Sequence, residues 1–262
     1  MDLNLSGRHA LVCGASDGIG KAAAIELALL GASVTVLARR EAALRDVAAA
    51  LPVVAAGQSH GWRMGDDGQS PALLDTVAAL AAERPVQILV NNGGGPPGGT
   101  AIDADLDAYL IAFRHHLLAN QVRVQAVLPG MRAAGWGRIV NVVSTSVYEP
   151  IPNLGVSNTT RGAVAGWAKT LSRELGPDNI TVNNVLPGYT RTARMDHIVQ
   201  DRIAANGGTA QDAVDSIAAS IPLRRVAEAS EVASAIAFLA SPAAGYITGV
   251  SLAVDGGRMQ SI

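Results

Sequence analysis

The chain has 262 residues, a formal net charge of −2 and 49% hydrophobic residues. This length suits one large α/β domain or two small ones, with enough apolar material for a buried core. The near-neutral charge gives no support for binding to nucleic acid or to an anionic membrane surface, and no apolar run approaches the ~20 residues of a membrane span. The amino terminus has no export-signal pattern, and the single cysteine, Cys13, excludes an internal disulfide. We therefore expect a cytoplasmic protein.

Short strand-like runs alternate with longer amphipathic runs along the whole chain. The predicted strands cover residues 9–13, 33–37, 61–64, 87–90, 138–143, 180–185 and 251–254, of which 61–64 is the weakest. The predicted helices cover residues 18–30, 41–51, 71–83, 104–133, 157–175 and 230–239, and the fourth is long enough to be bent or interrupted. This alternation predicts an α/β fold: one doubly wound parallel sheet with helices on both faces, in a single domain.

Two segments interrupt the alternation. Residues 91–99 (NNGGGPPGG) contain too much glycine and proline for a regular element, so they predict a loop at the carboxyl end of a strand, where open α/β sheets bind ligands. Residues 193–221 are polar and carry Gly207-Gly208. They predict a pair of short helices that form a movable lid over the substrate, with a plain surface excursion as the alternative.

A glycine-rich turn follows the first predicted strand. Gly14, Gly18 and Gly20 allow a tight turn in which backbone N–H groups approach a phosphate at the positive end of the next helix. A glycine cluster can also be an ordinary helix-entry turn, but its position between a strand and a helix favours dinucleotide binding. The intervening residues Ser16, Asp17 and Ile19 are candidates for the same site.

The end of the second predicted strand bears on which dinucleotide binds. NAD(H) sites usually present a carboxylate there, whereas this strand runs into Arg39 and Arg40. Two guanidinium groups suit a 2′-phosphate, since arginine engages phosphate with paired hydrogen bonds. The alternative is that both arginines only cap an exposed loop. Asp17, close to the expected phosphate, also counts slightly against NADP(H). On balance the sequence favours NADP(H) over NAD(H).

These motifs together resemble the short-chain dehydrogenase/reductase family over nearly the whole chain. The resemblance implies a Rossmann-type fold, a role for Asp66 at the adenine, and a homo-oligomer, dimer or tetramer, packed through the carboxyl-terminal strand. The matching residues are Gly14, Gly18 and Gly20, with Cys13 where the family usually has threonine; Asn91, Asn92, Gly93 and Gly94, with Gly93 in place of alanine; Pro187, Gly188 and Thr192 of the nicotinamide loop; and residues 246–249 and 254–257.

The catalytic part of the family pattern is altered. The family uses a serine, a tyrosine thirteen residues later and a lysine four residues beyond that. Here Ser144 occupies the first position, but Ser157 and Arg161 replace the tyrosine and the lysine. None of the four tyrosines has a lysine four residues later, so the usual proton-transferring pair is absent. A serine hydroxyl is shorter and far less acidic than a phenol, and arginine scarcely ever releases its proton, although it can still hold ribose hydroxyls.

A histidine stands where the family has a further polar residue of its proton relay. His116 matches the position of the relay asparagine, and an imidazole can donate or accept a proton near neutral pH. The alternative is a partly buried histidine with no catalytic task. Tyr148 and Tyr189 flank the expected site and are further candidate donors, each equally consistent with substrate contact or packing.

Three functions are consistent with these residues. The first is an NADP(H)-dependent oxidoreductase of a small carbonyl or alcohol substrate, with oxoacyl or polyketide-like molecules as analogies, in which Ser144 orients the substrate oxygen and His116 or water supplies the proton. The second is non-redox chemistry on the same scaffold, such as cyclisation, isomerisation or elimination. The third is a cofactor-binding, non-catalytic subunit of a hetero-oligomer. No metal site is predicted.

Overall fold

Seven parallel strands form one sheet in the computed structural model, which describes residues 1–261. They are β1 (His9–Cys13), β2 (Ser33–Ala38), β3 (Gly61–Met64), β4 (Ile88–Asn91), β5 (Gly137–Val142), β6 (Ile180–Pro187) and β7 (Ser251–Val254). Their order across the sheet is β3-β2-β1-β4-β5-β6-β7, and every neighbouring pair is parallel. The predicted doubly wound parallel sheet is confirmed.

Nine α-helices connect and cover the strands of the described chain. They are α1 (Gly18–Leu29), α2 (Glu41–Ala50), α3 (Ser70–Glu83), α4 (Leu106–Phe113), α5 (Ala119–Ala133), α6 (Gly155–Leu175), α7 (Ala193–Asn206), α8 (Ala210–Ala219) and α9 (Ala229–Ala240). Helices α1, α2 and α9 pack on one face of the sheet, and α3, α5 and α6 pack on the other. The central strands are buried along their length, which explains the apolar runs of β1 and β4.

The long helix predicted over residues 104–133 is interrupted. Helix α4 ends at Phe113, a π-helical turn covers Arg114–Leu118, and α5 continues from Ala119. The N–H of Ala119 donates to the carbonyl of Arg114, the five-residue spacing that defines such a turn. His115 and His116 of this turn border one small cavity with Asn91 and Val142, the last residues of β4 and β5. Among the described residues, no helix is both long and apolar enough to cross a bilayer.

The strand order places two loops side by side at the carboxyl edge of the sheet. Strand β1 pairs with β2 on one side and with β4 on the other. The strand order therefore reverses at β1, with β2 and β3 on one side of it and β4 to β7 on the other. Open α/β sheets bind ligands in the crevice that opens at such a point. The glycine-rich turn follows β1, and the loop from Asn92 follows β4, so both predicted cofactor loops border this crevice.

A ladder of amide side chains crosses the half of the sheet that carries the remaining site residues. Asn91, Asn141, Asn184 and Ser251 occupy paired positions on β4, β5, β6 and β7. Nδ2 of Asn91 donates to Oδ1 of Asn141 at 2.9 Å, and Nδ2 of Asn141 donates to Oδ1 of Asn184 at 3.0 Å. Asn184 then donates to the Ser251 hydroxyl at 3.0 Å. A slip of any of these strands by one residue would leave buried amides without partners, so the ladder fixes the sheet register.

Candidate active site

Close backbone contacts hold the glycine-rich turn against the loop that follows β4. Gly14 has a φ of +58°, and a Cβ there would lie 2.6 Å from the carbonyl oxygen of Asn92. A Cβ on Gly20 would collide with the carbonyl oxygen of Gly14. The Asn92 side chain closes this contact, since its Nδ2 donates to that same oxygen at 3.1 Å. The turn therefore requires glycine at both positions, and Asn92 ties it to the neighbouring loop.

The amino-terminal end of α1 faces the crevice. Asp17 caps the helix, with its Oδ1 accepting from the N–H of Gly18 at 2.7 Å. The next amides, of Ile19 and Gly20, belong to the first helical turn, where no intrahelical acceptor exists. Such amides and the positive end of the helix dipole suit a phosphate group. The turn thus fits the pyrophosphate of a dinucleotide, which the sequence predicted here.

The residues predicted for the adenosine end lie on the outer side of the turn. Arg39 and Arg40 are exposed after β2. Arg40 reaches back to the turn, and its Nη2 donates to the Ser16 hydroxyl at 3.2 Å. Asp66 follows β3, and its Oδ1 accepts from the N–H of Gly68 at 2.9 Å. Arg40 is therefore the guanidinium that the structure places beside the glycine-rich turn.

One cleft brings the remaining predicted residues together. It has a volume of about 340 Å³ and extends from the glycine-rich turn to the ends of β5 and β6. Its lining includes the predicted cofactor residues Gly14, Asp17, Gly18, Ile19, Asn92, Gly93, Gly94, Pro187, Gly188 and Thr192, and the predicted catalytic residues Ser144, Ser157 and Arg161. Ser16, Gly20, Arg39, Arg40, Asp66 and His116 do not line this cleft.

The two serines of the altered catalytic pattern differ in their exposure. Ser144 follows β5 and is partly exposed to the cleft, and its Oγ accepts from the N–H of Ser146 at 3.1 Å. That bond leaves the Ser144 hydroxyl hydrogen available for a substrate oxygen. Ser157 lies in the first turns of α6 and is only 8% exposed. Because its side chain is short, the hydroxyl stays close to the helix.

Arg161 presents a positive charge from within the protein to the cleft. Its side chain is buried on α6, and its Nη1 donates to the carbonyl of Val142 at 3.2 Å. Burial, together with the charge of Arg194, lowers the pKa of Arg161 to about 10. The guanidinium therefore remains protonated at neutral pH and acts as a hydrogen-bond donor, consistent with holding ribose hydroxyls.

His116 lies in the π-helical turn behind Arg161. Burial lowers the pKa of His116 to about 2, and the charges of Arg161, His115 and Arg123 act in the same direction. The imidazole is therefore neutral near pH 7, a state that favours hydrogen bonding over proton donation. Of the other candidate donors, Tyr189 lines both the cleft and a neighbouring cavity, whereas Tyr148 is 53% exposed and lines neither of them.

A buried ion pair supports the site and was missed by sequence reasoning. Arg123 of α5 is 1% exposed and pairs with Asp67, the residue after the predicted adenine contact. Nη1 of Arg123 also donates to Oδ1 of Asn120 at 3.2 Å. The signal in the sequence was the spacing of His116, Asn120 and Arg123, which places three polar side chains on one helical face. They border a cavity of about 10 Å³ that also touches Arg161.

Comparison with known proteins places this site in a family. A family profile described as "Enoyl-(Acyl carrier protein) reductase" matches residues 14–258. The NADPH-dependent reductase BacG of Bacillus subtilis is 32% identical over 98% of this chain and 100% of that protein. The 3-oxoacyl-[acyl-carrier-protein] reductase FabG of Pseudomonas aeruginosa is 32% identical over 99% of this chain and 100% of its own length.

A solved structure shows the same architecture throughout. L-sorbose reductase from Gluconobacter frateurii, complexed with NADPH and L-sorbose, superposes with a TM-score of 0.92 at 28% identity and with complete coverage of both chains. The fold, the order of the motifs and these relatives agree. The chain belongs to the short-chain dehydrogenase/reductase family and is an oxidoreductase of that family.

Proposed function

We propose that the protein is an NADP(H)-dependent oxidoreductase that reduces a small carbonyl compound or oxidises the corresponding alcohol. The observation that carries this proposal is the single cleft that joins the glycine-rich turn to Ser144 and Arg161. When bound, the nicotinamide cofactor supplies or accepts the hydride. The NADPH-dependent relatives support the cofactor, and Arg40 beside Ser16 suits its 2′-phosphate.

The residues of the cleft divide the work of binding and orientation. The first-turn amides of α1 bind the pyrophosphate, and residues 187–192 border the nicotinamide end. Arg161 donates to ribose hydroxyls from its buried position. Ser144 donates its hydroxyl hydrogen to the substrate oxygen and thereby stabilises the negative charge that develops there.

The proton that completes carbonyl reduction comes from water in this proposal. Ser157 is too weak an acid to supply it, and His116 is neutral. The cavity of about 10 Å³ beside Arg161 and His116 is roughly the space that one buried water needs. His116 then orients such a water by hydrogen bonding. This arrangement replaces the missing tyrosine without requiring a new acidic side chain.

The assembly of the chain remains a prediction from the family resemblance. Two surfaces support a homo-oligomer, because each exposes large apolar side chains that a partner copy would cover. One lies along α4, with Leu106 79% and Leu110 62% exposed. The other lies near the carboxyl terminus, where Tyr246 is fully exposed beside Val250 and Leu252.

Hydride transfer from a labelled cofactor tests the proposed function. The protein is incubated with NADPH carrying deuterium at the transferable position and with a panel of small ketones and aldehydes. We expect deuterium at the carbinol carbon of the product, and we expect Ser144→Ala to lower kcat/KM by about 10²-fold, as the loss of an oxyanion donor does elsewhere. Ser157→Ala is the matched control and should have a much smaller effect.

Two results would contradict the proposal. If NADPH binds but no member of the carbonyl panel is reduced, non-redox chemistry on the same scaffold becomes the better hypothesis. If Ser157→Ala lowers kcat/KM as much as Ser144→Ala does, the proton route through water is wrong and Ser157 takes part in the chemistry.

A further inference from the structure

A second, larger cavity adjoins the cofactor cleft and contains three arginines. Its volume is about 730 Å³, within the range of small-molecule sites. Ser144, Pro187 and Gly188 line both this cavity and the cleft, so a molecule held in the cavity reaches the Ser144 hydroxyl. The arginines are Arg194, Arg202 and Arg258, and none of them belongs to the family motifs described above.

Helix α7 turns one face toward this cavity. Arg194, Ile198, Asp201, Arg202 and Ala205 all line it, and their spacing of four, three, one and three residues is that of a single helical face. The face therefore combines two arginines with one aspartate and small or apolar side chains. Its orientation is fixed from the other side, where Met195 and Val199 pack with α8.

Tyr189 joins two of the arginines from separate parts of the chain. The Nη2 atom of Arg202 lies 3.5 Å from the Tyr189 hydroxyl oxygen, and the Arg258 guanidinium carbon lies 5.2 Å from the centre of the Tyr189 ring. Arg258 also donates from Nη1 to the Thr145 hydroxyl at 3.4 Å. Contact with one aromatic side chain thus brings an α7 arginine and a carboxyl-terminal arginine to the same wall of the cavity.

The positive charge on this wall is not balanced within the described chain. Within residues 1–261, none of the three arginines forms an ion pair with a carboxylate. Asp201 is the one acidic residue of the cavity lining, which leaves a net charge of +2 from four charged groups. Glu149 lies near Arg258, but its Oε1 accepts from the N–H groups of Gln260 and Ser261, each at 2.6 Å. Arg194 is exposed, whereas Arg202 and Arg258 are partly buried, and partly buried guanidinium groups in such a site favour an anionic ligand.

We propose that the substrate is a small oxo acid whose carboxylate binds Arg202 and Arg258 while its carbonyl oxygen lies at Ser144. The placement of the carbonyl rests on the proposed function, whereas the carboxylate site rests on the cavity alone. Two arginines can bind a phosphate as readily as a carboxylate, and a phosphate would arrive on the pantetheine arm of a carrier-bound substrate. We choose the free acid because the cavity matches a whole small molecule in size.

Calorimetric titration with acids and their amides tests the site without turnover. The pairs are 4-oxopentanoate with 4-oxopentanamide, benzoate with benzamide, and pantetheine 4′-phosphate with pantetheine, each titrated with and without saturating NADP⁺. We expect 4-oxopentanoate to bind at least about tenfold more tightly than its amide, the discrimination expected from hydrogen bonds to a charged group. This preference should fall to about twofold or less in Arg202→Gln/Arg258→Gln. Arg45→Gln/Arg132→Gln, with the same charge change on exposed arginines, should retain it.

Each outcome bears on the carboxylate site separately from the proposed function. Equal binding of acids and amides overturns the site, and so does a preference that survives in a folded Arg202→Gln/Arg258→Gln variant. If only pantetheine 4′-phosphate binds more tightly than its uncharged partner, the arginines bind carrier-bound substrates, and the proposal of a free oxo acid is wrong. If that variant does not fold, the acid–amide comparison in the unsubstituted protein still decides. Loss of hydride transfer with the acid preference intact would count against the proposed function alone.

Discussion

At the scale of single residues, Arg39 and Arg40 differ more than their adjacent positions suggest. Both are exposed, but only Arg40 hydrogen-bonds a residue of the glycine-rich turn, at Ser16. A guanidinium held there is close enough to the turn to bind a 2′-phosphate, whereas Arg39 makes no hydrogen bond to the turn. We therefore expect Arg40 to contribute more to cofactor discrimination than Arg39 does.

The corresponding prediction concerns cofactor preference. We expect Arg40→Ala to weaken NADPH binding by about 10- to 100-fold, the loss expected for a charged hydrogen-bonding partner, and to leave NADH binding nearly unchanged. Arg39→Ala should have a smaller effect. Fluorescence titration of both cofactors measures this, with Arg45→Ala, a substitution of an exposed arginine of α2, as the control. An equal loss for NADPH and NADH in Arg40→Ala would show that Arg40 does not contact the 2′-phosphate.

At the scale of secondary-structure elements, the asparagine ladder connects fold and site. Strands β4 and β6 lead directly into the loops that begin at Asn92 and end at Thr192, so their register decides where both loops lie. Asn141 is fully buried at the centre of the ladder and bonds to both neighbours. Asn91 at its edge makes one such bond, and its Oδ1 has no partner among the described residues.

The ladder predicts that Asn141→Leu lowers the free energy of unfolding more than Asn91→Leu does. Asn141→Leu leaves two neighbouring amides unpaired and should lower the free energy of unfolding by about 2 to 6 kcal/mol, at about 1 to 3 kcal/mol for each buried group. Asn91→Leu leaves one amide oxygen unpaired but removes an existing unpartnered atom, so it should cost about 1 to 3 kcal/mol or less. Urea unfolding monitored by circular dichroism compares them. Equal costs would indicate that side-chain size, and not the ladder, dominates at both positions.

How far the sequence predicts these elements depends on where the signal comes from. The strands were predictable because two-sided burial demands runs such as Leu11-Val12-Cys13, and the cofactor turn because its close contacts demand glycine. The sequence indicated that the long helix could be bent or interrupted, but it did not locate the interruption after Phe113. No glycine or proline marks that point, and Pro129 lies later, inside α5. The cluster of Arg194, Arg202 and Arg258 in the second cavity was not predicted, because the side of α7 that faces the cavity depends on how α7 packs with α8.

At the scale of the whole molecule, two buried histidines at opposite ends of the sheet make the free energy of unfolding depend on pH. His9 begins β1, and its Nε2 lies 2.9 Å from the Thr35 hydroxyl. Its Nδ1 lies 3.3 Å from the carbonyl oxygens of Arg84 and Pro85, an arrangement that a neutral ring satisfies. Burial, reinforced by the charge of Arg84, lowers the pKa of His9 to about 4. His116 lies at the other end, with its pKa lowered to about 2 by burial.

The sign of the pH dependence follows from these lowered values. In the unfolded chain each histidine takes up a proton near pH 6.5, whereas in the folded protein it stays neutral until about pH 4 for His9 and about pH 2 for His116. The stabilisation is therefore complete above about pH 6.5 and is lost as the pH falls through the acid range. At pH 5 the loss amounts to at most about 2 kcal/mol for each histidine.

Substitution of these histidines should flatten that dependence. We expect the free energy of unfolding to fall between about pH 7 and pH 5 in the unsubstituted protein, and to fall by about half as much in His9→Gln or in His116→Asn. Urea unfolding at fixed protein concentration measures this, with exposed His197→Gln as the control that keeps the full dependence. If the double variant His9→Gln/His116→Asn loses as much stability as the unsubstituted protein does, carboxylates rather than buried neutral histidines govern the acid sensitivity. Because His116 borders the cavity beside Arg161, the same titrations would also show that its ring is neutral where we propose that it orients water.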